Sequence, residues 1–190
     1  IDTERGADKW LSANGESEQA TNANLVTAFN SDGFTVGTGG PYWTNDNLYK
    51  YVSWTFRKQR GFFDIVTWDG NGTAGRAISH NLGSVPGMII VKSYDHPSGV
   101  GNTDWLIYHR QLNGGTNPEQ YGLKLNSTGT EGAQSWWNNT APTSTAFTVN
   151  ASQDINGSGG KYVAYLFAHD EQNFGADSDE SVIKCGHYEG

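Results

Sequence analysis

Aromatic rings set beside side-chain amides are the groups in this chain best placed to do chemistry. Tyr42 and Trp43 lie in a glycine-flanked stretch that continues into Thr44 and Asn45, and Trp136-Trp137 runs directly into Asn138-Asn139. The flat face of an exposed ring takes the C–H groups of a sugar, and neighbouring amides take its hydroxyls. Successive side chains of an extended segment point to opposite faces, so one of Trp136 and Trp137 is expected to face outward unless it is covered. Tyr94 and His96 mark a third such place, where a strand-like run enters the loop 95–102. The candidate ligand-binding set is therefore Tyr42, Trp43, Asn45, Tyr94, His96, Trp136, Trp137 and Asn138. The competing reading is packing under loops or against a neighbouring subunit, because aromatic residues are enriched at protein interfaces. Trp54, Trp68 and Trp105 lie in strand-like runs and are expected to anchor the core.

The acidic residues give a second place to look. Asp170, Glu171, Asp177, Asp179 and Glu180 crowd one stretch. Clustered hard oxygen ligands suit calcium, but the spacing lacks the glycine and closing glutamate of an EF-hand loop. The plain alternative is a solvated, self-repelling loop. Histidines 80, 96, 109, 169 and 187 form neither His-x-His nor His-Glu-x-x-His, so zinc is not signalled. No Gly-x-Ser-x-Gly occurs, and the glycines at 37, 39 and 40 lack the Lys-Ser/Thr of a phosphate-binding loop. No residue is expected to be catalytic and no cofactor is implied. Several Asn-x-Ser/Thr triplets, at 71, 126, 138, 150 and 156, are what an Asn-, Ser- and Thr-rich chain holds by chance. Cys185, the single cysteine, reads as a small buried apolar residue.

The elements that must hold these residues are β-strands. The chain has 25 glycines, 13% aromatic residues and only 17% charged ones, a turn-rich β composition. Strand signals fall at 49–56, 62–68, 75–79, 88–93, 105–109, 121–126, 146–150, 161–168 and 182–188. Segments 88–91 and 162–167 are apolar on both faces, as central strands are. The spacing predicts a hairpin tip at 69–72, a left-handed glycine at Gly83 and a type II turn at Pro86-Gly87. The one helical pattern covers 16–29. Net charge is −8 with the basic residues scattered, which argues against a nucleic-acid partner. No apolar run reaches the roughly 20 residues of a membrane-spanning helix. The fold class expected is all-β: antiparallel sandwich or jelly-roll units.

The chain also repeats itself. Leu11-Ser-Ala-Asn14 returns as Leu123-Lys-Leu-Asn126, residues 32–37 return at 145–150, and Lys50-Tyr-Val-Ser-Trp-Thr-Phe56 returns as Lys161-Tyr-Val-Ala-Tyr-Leu-Phe167. A fourth block, residues 63–70, returns more loosely at 183–190. The offsets are 112, 113, 111 and 120 residues, so the acidic loop before the last block is longer in the second copy. A domain-sized period with ordered blocks predicts tandem units. Residues 71–110 have no internal counterpart. The expected division is 1–72 as the C-terminal part of a preceding unit, hence an incomplete one, and 73–190 as a complete sandwich. The chain then reads as a window on a longer polypeptide.

The run Gly70-Asn-Gly-Thr-Ala-Gly-Arg-Ala-Ile-Ser-His-Asn-Leu-Gly-Ser-Val-Pro-Gly-Met-Ile-Ile-Val-Lys92 resembles a repeat of tail-fibre and other virion structural proteins of marine bacteriophages, of the cyanophage and pelagiphage kind. So do Asp104-Trp-Leu-Ile-Tyr-His-Arg110, Trp137-Asn-Asn-Thr-Ala-Pro-Thr143, Tyr162-Val-Ala-Tyr-Leu-Phe-Ala-His169 and the closing block from Ser181. The resemblance implies a virion surface protein assembled in a bacterial cytoplasm. It also implies a homo-oligomer, with a trimer among the expected forms, that touches other virion proteins and binds the host surface. It carries over no functional residue. Two functions follow as expectations: weak, multivalent contact with host glycans or proteins through end loops, or a purely architectural module. A polysaccharide depolymerase is the lesser third.

Overall fold

The structure, a computed structural model, describes residues 1–38, 44–96 and 103–188. Among them the strands are, in chain order, β1 (Lys9–Trp10), β2 (Ala20–Thr21), β3 (Val26–Phe29), β4 (Phe34–Val36), β5 (Phe63–Asp69), β6 (Arg76–Ser79), β7 (Met88–Asp95), β8 (Trp105–His109), β9 (Tyr121–Lys124), β10 (Gly132–Ala133), β11 (Ala146–Val149) and β12 (Lys161–Phe167). The protein is all-β, as the composition requires. Six strands form one antiparallel sheet in the order β10-β9-β8-β7-β12-β5, and β6 pairs with β11, β1 with β2 and β3 with β4.

The doubly apolar pattern of β12 explains its place. It is hydrogen-bonded along its length to β5 on one side and β7 on the other, so both its faces and both its edges are covered. Tyr162, Ala164 and Leu166 point into the larger core, with Trp68, Leu106, Trp136, Trp137, Phe147 and Val149. That core fills the space between the six-stranded sheet and the β6–β11 pair, a sandwich-like arrangement in which each layer hides the apolar face of the other. Val163 and Phe167 point the other way, into a smaller core with Phe63, Ile65 and Cys185, lined further by Leu11 and Ile183. Cys185 is buried as expected. Its Sγ donates to Ala168 O at 3.4 Å, and burial raises its pKa.

Several sequence expectations need correction. The helical pattern at 16–29 forms β2 and β3 instead. Asn22 Oδ1 accepts from Asn24 N at 2.9 Å, a local turn that competes with a helix. No hairpin closes at 69–72, because β5 and β6 lie in different sheets. Here Gly70 N donates to Gly160 O, and Asn156 Nδ2 donates to Asn71 Oδ1 and Thr73 O. Gly83 does take a positive φ of 76°, but Gly87 does not, so no type II turn forms there. Segments 49–56 and 182–188 are not strands, and Trp54 is 82% exposed rather than a core anchor. A lone strand is only marginally stable, and the sheet order leaves 50–56 outside every described ladder.

β5, from the first copy of the repeat, pairs over seven residues with β12, from the second. The boundary read from the sequence therefore runs through one hydrogen-bonded sheet. Two buried polar clusters bind the N-terminal segment to the same sheet, as the next subsection describes.

Candidate functional site

The structure places the paired tryptophans in the core. Trp136 is 7% exposed and Trp137 only 2%. The chain turns sharply after them, with Asn138 and Asn139 both in the left-handed region at φ 52° and 49°. This turn breaks the strand-like alternation on which the expectation of one outward ring rested. Trp137 packs edge-on against Tyr108 and Phe147, and its Nε1 donates to Tyr121 O at 3.2 Å. Trp136 lies against the backbone at Gly122, where an added Cβ would run into its ring. Asn138 is half-buried, and its backbone N–H closes the turn onto Ser135 O. Its residue type reflects the left-handed backbone, which asparagine tolerates better than most residues.

Tyr94 and His96 do fall in a cluster, at the end of β7. Lys92, completely buried, donates from Nζ to Glu16 O and Thr103 O, both at 2.8 Å, and to Thr103 Oγ1 at 3.3 Å. Burial lowers its pKa to about 8 against the raising influence of Asp104, Glu18 and Glu16. Three acceptors around one nitrogen use all three ammonium protons. His96 Nδ1 lies 3.1 Å from Ser93 Oγ and its Nε2 lies 3.1 Å from Thr103 Oγ1, while its backbone N–H donates to Glu18 Oε1. Burial holds the imidazole below its ordinary pKa.

A second cluster adjoins it. The buried Asp2–Arg5 ion pair, 2.6 Å between Oδ2 and Nη2, receives the Tyr165 hydroxyl on Asp2 Oδ2 at 2.7 Å. Burial works to raise the Asp2 pKa, but the Arg5 charge and the Tyr165 hydrogen bond leave it below the usual value. Arg5 also lies 5.8 Å from the Tyr94 ring centroid, and Gln19 N donates to Tyr94 O. Tyr94 is half-buried.

A serine beside a histidine invites comparison with a nucleophile and its base. Ser93 is fully buried, however, and its hydroxyl is also within hydrogen-bond reach of Lys161 O. No substrate atom could reach it as the chain stands. The physical effect of both clusters is to fasten residues 2–19 to the outer face of β7 and β12. Sequence reasoning missed Lys92, Thr103, Asp2, Arg5 and Tyr165. One signal was available: Lys92 follows Met88-Ile-Ile-Val91 inside a strand buried on both faces.

The remaining candidates do not converge. Asn45 is exposed and its Nδ2 donates to Gly37 O. Tyr42 and Trp43, like most of the 95–102 loop, lie outside the described residues. The five acidic residues proposed for calcium are spread along the loop. Asp170 pairs with Lys184 at 3.3 Å, Glu171 accepts from Asn173 Nδ2, and 174 and 180 form an antiparallel bridge. Among the described residues no group of three His, Cys, Asp or Glu side chains could hold a metal ion. Nor does any helix among them have the length and apolarity to cross a membrane. Asn156, an apparent glycosylation triplet, is fully buried and hydrogen-bonded through both side-chain atoms. An open depression of about 440 Å³ lies between residues 13–14 and 125–128, where the two copies of the first repeat block sit side by side.

Residues 1–178 match a domain of unknown function, DUF7483. The chain belongs to that family. The match runs across residue 72, as the sheet does. No curated protein and no solved structure matches the chain.

Proposed function

We propose that the chain is an architectural module of a phage-type virion appendage, with no enzymatic role. One observation carries the choice of architecture over glycan recognition: the paired tryptophans, the strongest sugar platform in the sequence, are core residues packed on Tyr108 and Phe147. What the described residues expose instead is a row of apolar side chains in a segment that belongs to no strand, Leu48, Tyr51, Val52 and Trp54. Exposed apolar rows of this kind mark contact with other protein. The assignment to a virion follows from the resemblance to marine-phage structural repeats, and the module's partners are copies of itself and neighbouring virion proteins.

The experiment is to raise an antibody against the purified chain and label phage particles whose genome encodes it. The proposal expects label on an appendage of the particle, and particles carrying none would refute it. Binding of the chain to a glycan array, lost on changing Asn45 while the fold is kept, would restore recognition as the function.

A further inference from the structure

One chain of hydrogen bonds runs through the end of β7, and its directions are fixed from both ends. Lys92 Nζ can only donate, so Thr103 Oγ1, 3.3 Å away, accepts from it. The Thr103 hydroxyl proton is then left for His96 Nε2 at 3.1 Å, which must be the bare ring nitrogen. At the other end Lys161 O can only accept, so the Ser93 hydroxyl proton points to it at 3.3 Å. Ser93 Oγ is then the acceptor for His96 Nδ1 at 3.1 Å, which must carry the ring proton. The two ends are independent of each other and assign the same neutral tautomer.

Charging His96 breaks this arrangement. A proton on Nε2 needs the Thr103 oxygen as its acceptor, so the Thr103 hydroxyl must turn away, and among the described residues it has no other acceptor. The new charge would also sit one oxygen atom away from the completely buried Lys92 ammonium. The groups around the ring divide accordingly. Burial is the main influence that holds it neutral and Lys92 adds to it, while Glu18, Asp95 and Asp154 favour the charged form. Asp104 and Glu16 act on Lys92 as well. Glu18 is exposed and accepts the His96 backbone N–H at 3.1 Å, and Asp95 pairs with Lys161 in an exposed ion pair. An imidazolium therefore has carboxylates to turn to at the surface.

The same few residues hold the N-terminal segment. Glu16 O accepts from Lys92, Glu18 Oε1 from His96 N and Tyr94 O from Gln19 N. We infer that His96 is a proton-operated catch on this contact. Neutral, it sits between Ser93 and Thr103 and keeps residues 16–19 on the end of β7. Charged, it leaves the two hydroxyls for the carboxylates outside, and the contact loosens. The contact is complete above the ordinary histidine value of about 6.5 and is lost as pH falls through the lower value of the folded chain. Histidine is the side chain whose charge changes in this range. The catch operates whatever the chain's role in an assembly.

Nitrogen-15 NMR of the full chain tests it. At pH 7.5 His96 should show a protonated Nδ1 and a bare Nε2, and its titration midpoint should lie below the ordinary value. Amide exchange at pH 7.5 and pH 5.5, corrected for intrinsic rates, should show the protection of Gln19 and His96 falling several-fold on acidification while the amides of β12 keep theirs. His96→Gln cannot charge and should lose this pH dependence. Lys92→Met removes the neighbouring cation and should move the His96 midpoint up, towards the ordinary value; where that variant does not fold, the tautomer of the parent chain still decides. A ring proton on Nε2 at pH 7.5 would overturn the inference. So would a Gln19 amide whose protection is indifferent to pH, or falls equally in His96→Gln.

Discussion

Replacing Trp137 by alanine separates a core tryptophan from a ligand platform. The ring is almost wholly buried, touches Tyr108 and Phe147, and its indole N–H satisfies the Tyr121 carbonyl. A buried tryptophan hides roughly 200 Å². At about 25 cal/mol per Å² of apolar surface, with part of the area kept by alanine, its loss costs about 4 kcal/mol. That lies inside the roughly 3–5 kcal/mol seen for large aromatic-to-alanine changes, and the stranded Tyr121 carbonyl moves it toward the upper end. For a chain of this size each kcal/mol lowers Tm by about 2–4 °C, so thermal unfolding followed by near-ultraviolet circular dichroism should shift down by about 8–16 °C. Trp137→Phe, which keeps most of the area but not the N–H, should recover more than half of that. A Tm for Trp137→Ala within about 2 °C of the parent, with the same near-ultraviolet spectrum, would place the ring outside the core and refute the packing argument.

Two further outcomes are expected. Lys92→Met keeps the stem but leaves the Glu16 and Thr103 carbonyls without their donor, so it should cost about 1–3 kcal/mol in urea unfolding and open residues 12–19 to limited proteolysis; unchanged cleavage would show that Lys92 does not hold this segment. Burial holds His80, His96 and His109 below the ordinary histidine value. Their stabilising effect is therefore complete above about pH 6.5 and lost as pH falls through their lower folded values, because the unfolded chain binds protons that the folded one does not. The urea midpoint should fall from pH 7.5 to pH 5.5; a midpoint that is flat or rises would contradict this.

Most of the sheet was legible in the sequence, because strands with partners obey local rules. Runs such as Trp105–His109 and Lys161–Phe167 alternate or saturate with apolar residues in the way their burial requires. The segment 50–56 has the same local pattern as β12 and still forms no strand. Strand formation depends on a partner edge, and no local pattern encodes whether that edge is free. For the same reason a unit boundary is hard to read: ordered blocks reveal a period, but where one unit ends depends on which block pairs with which. The tryptophan pair failed differently. Two left-handed asparagines after Trp137 end the alternation, and Asn-Asn was the available sign of that turn. The cluster around Lys92 joins residues 16, 92 and 103 across the sheet, a juxtaposition that spacing alone could not reveal.

Amide hydrogen exchange bears most directly on the claim that one sandwich spans β5 to β12. The amides of β12 and β7 should be protected. Those of Ser53, Thr55, Gly186 and Tyr188, which belong to no strand, should exchange freely. Free exchange of β12 and β7, or protection of residues 51–56 equal to theirs, would contradict the account.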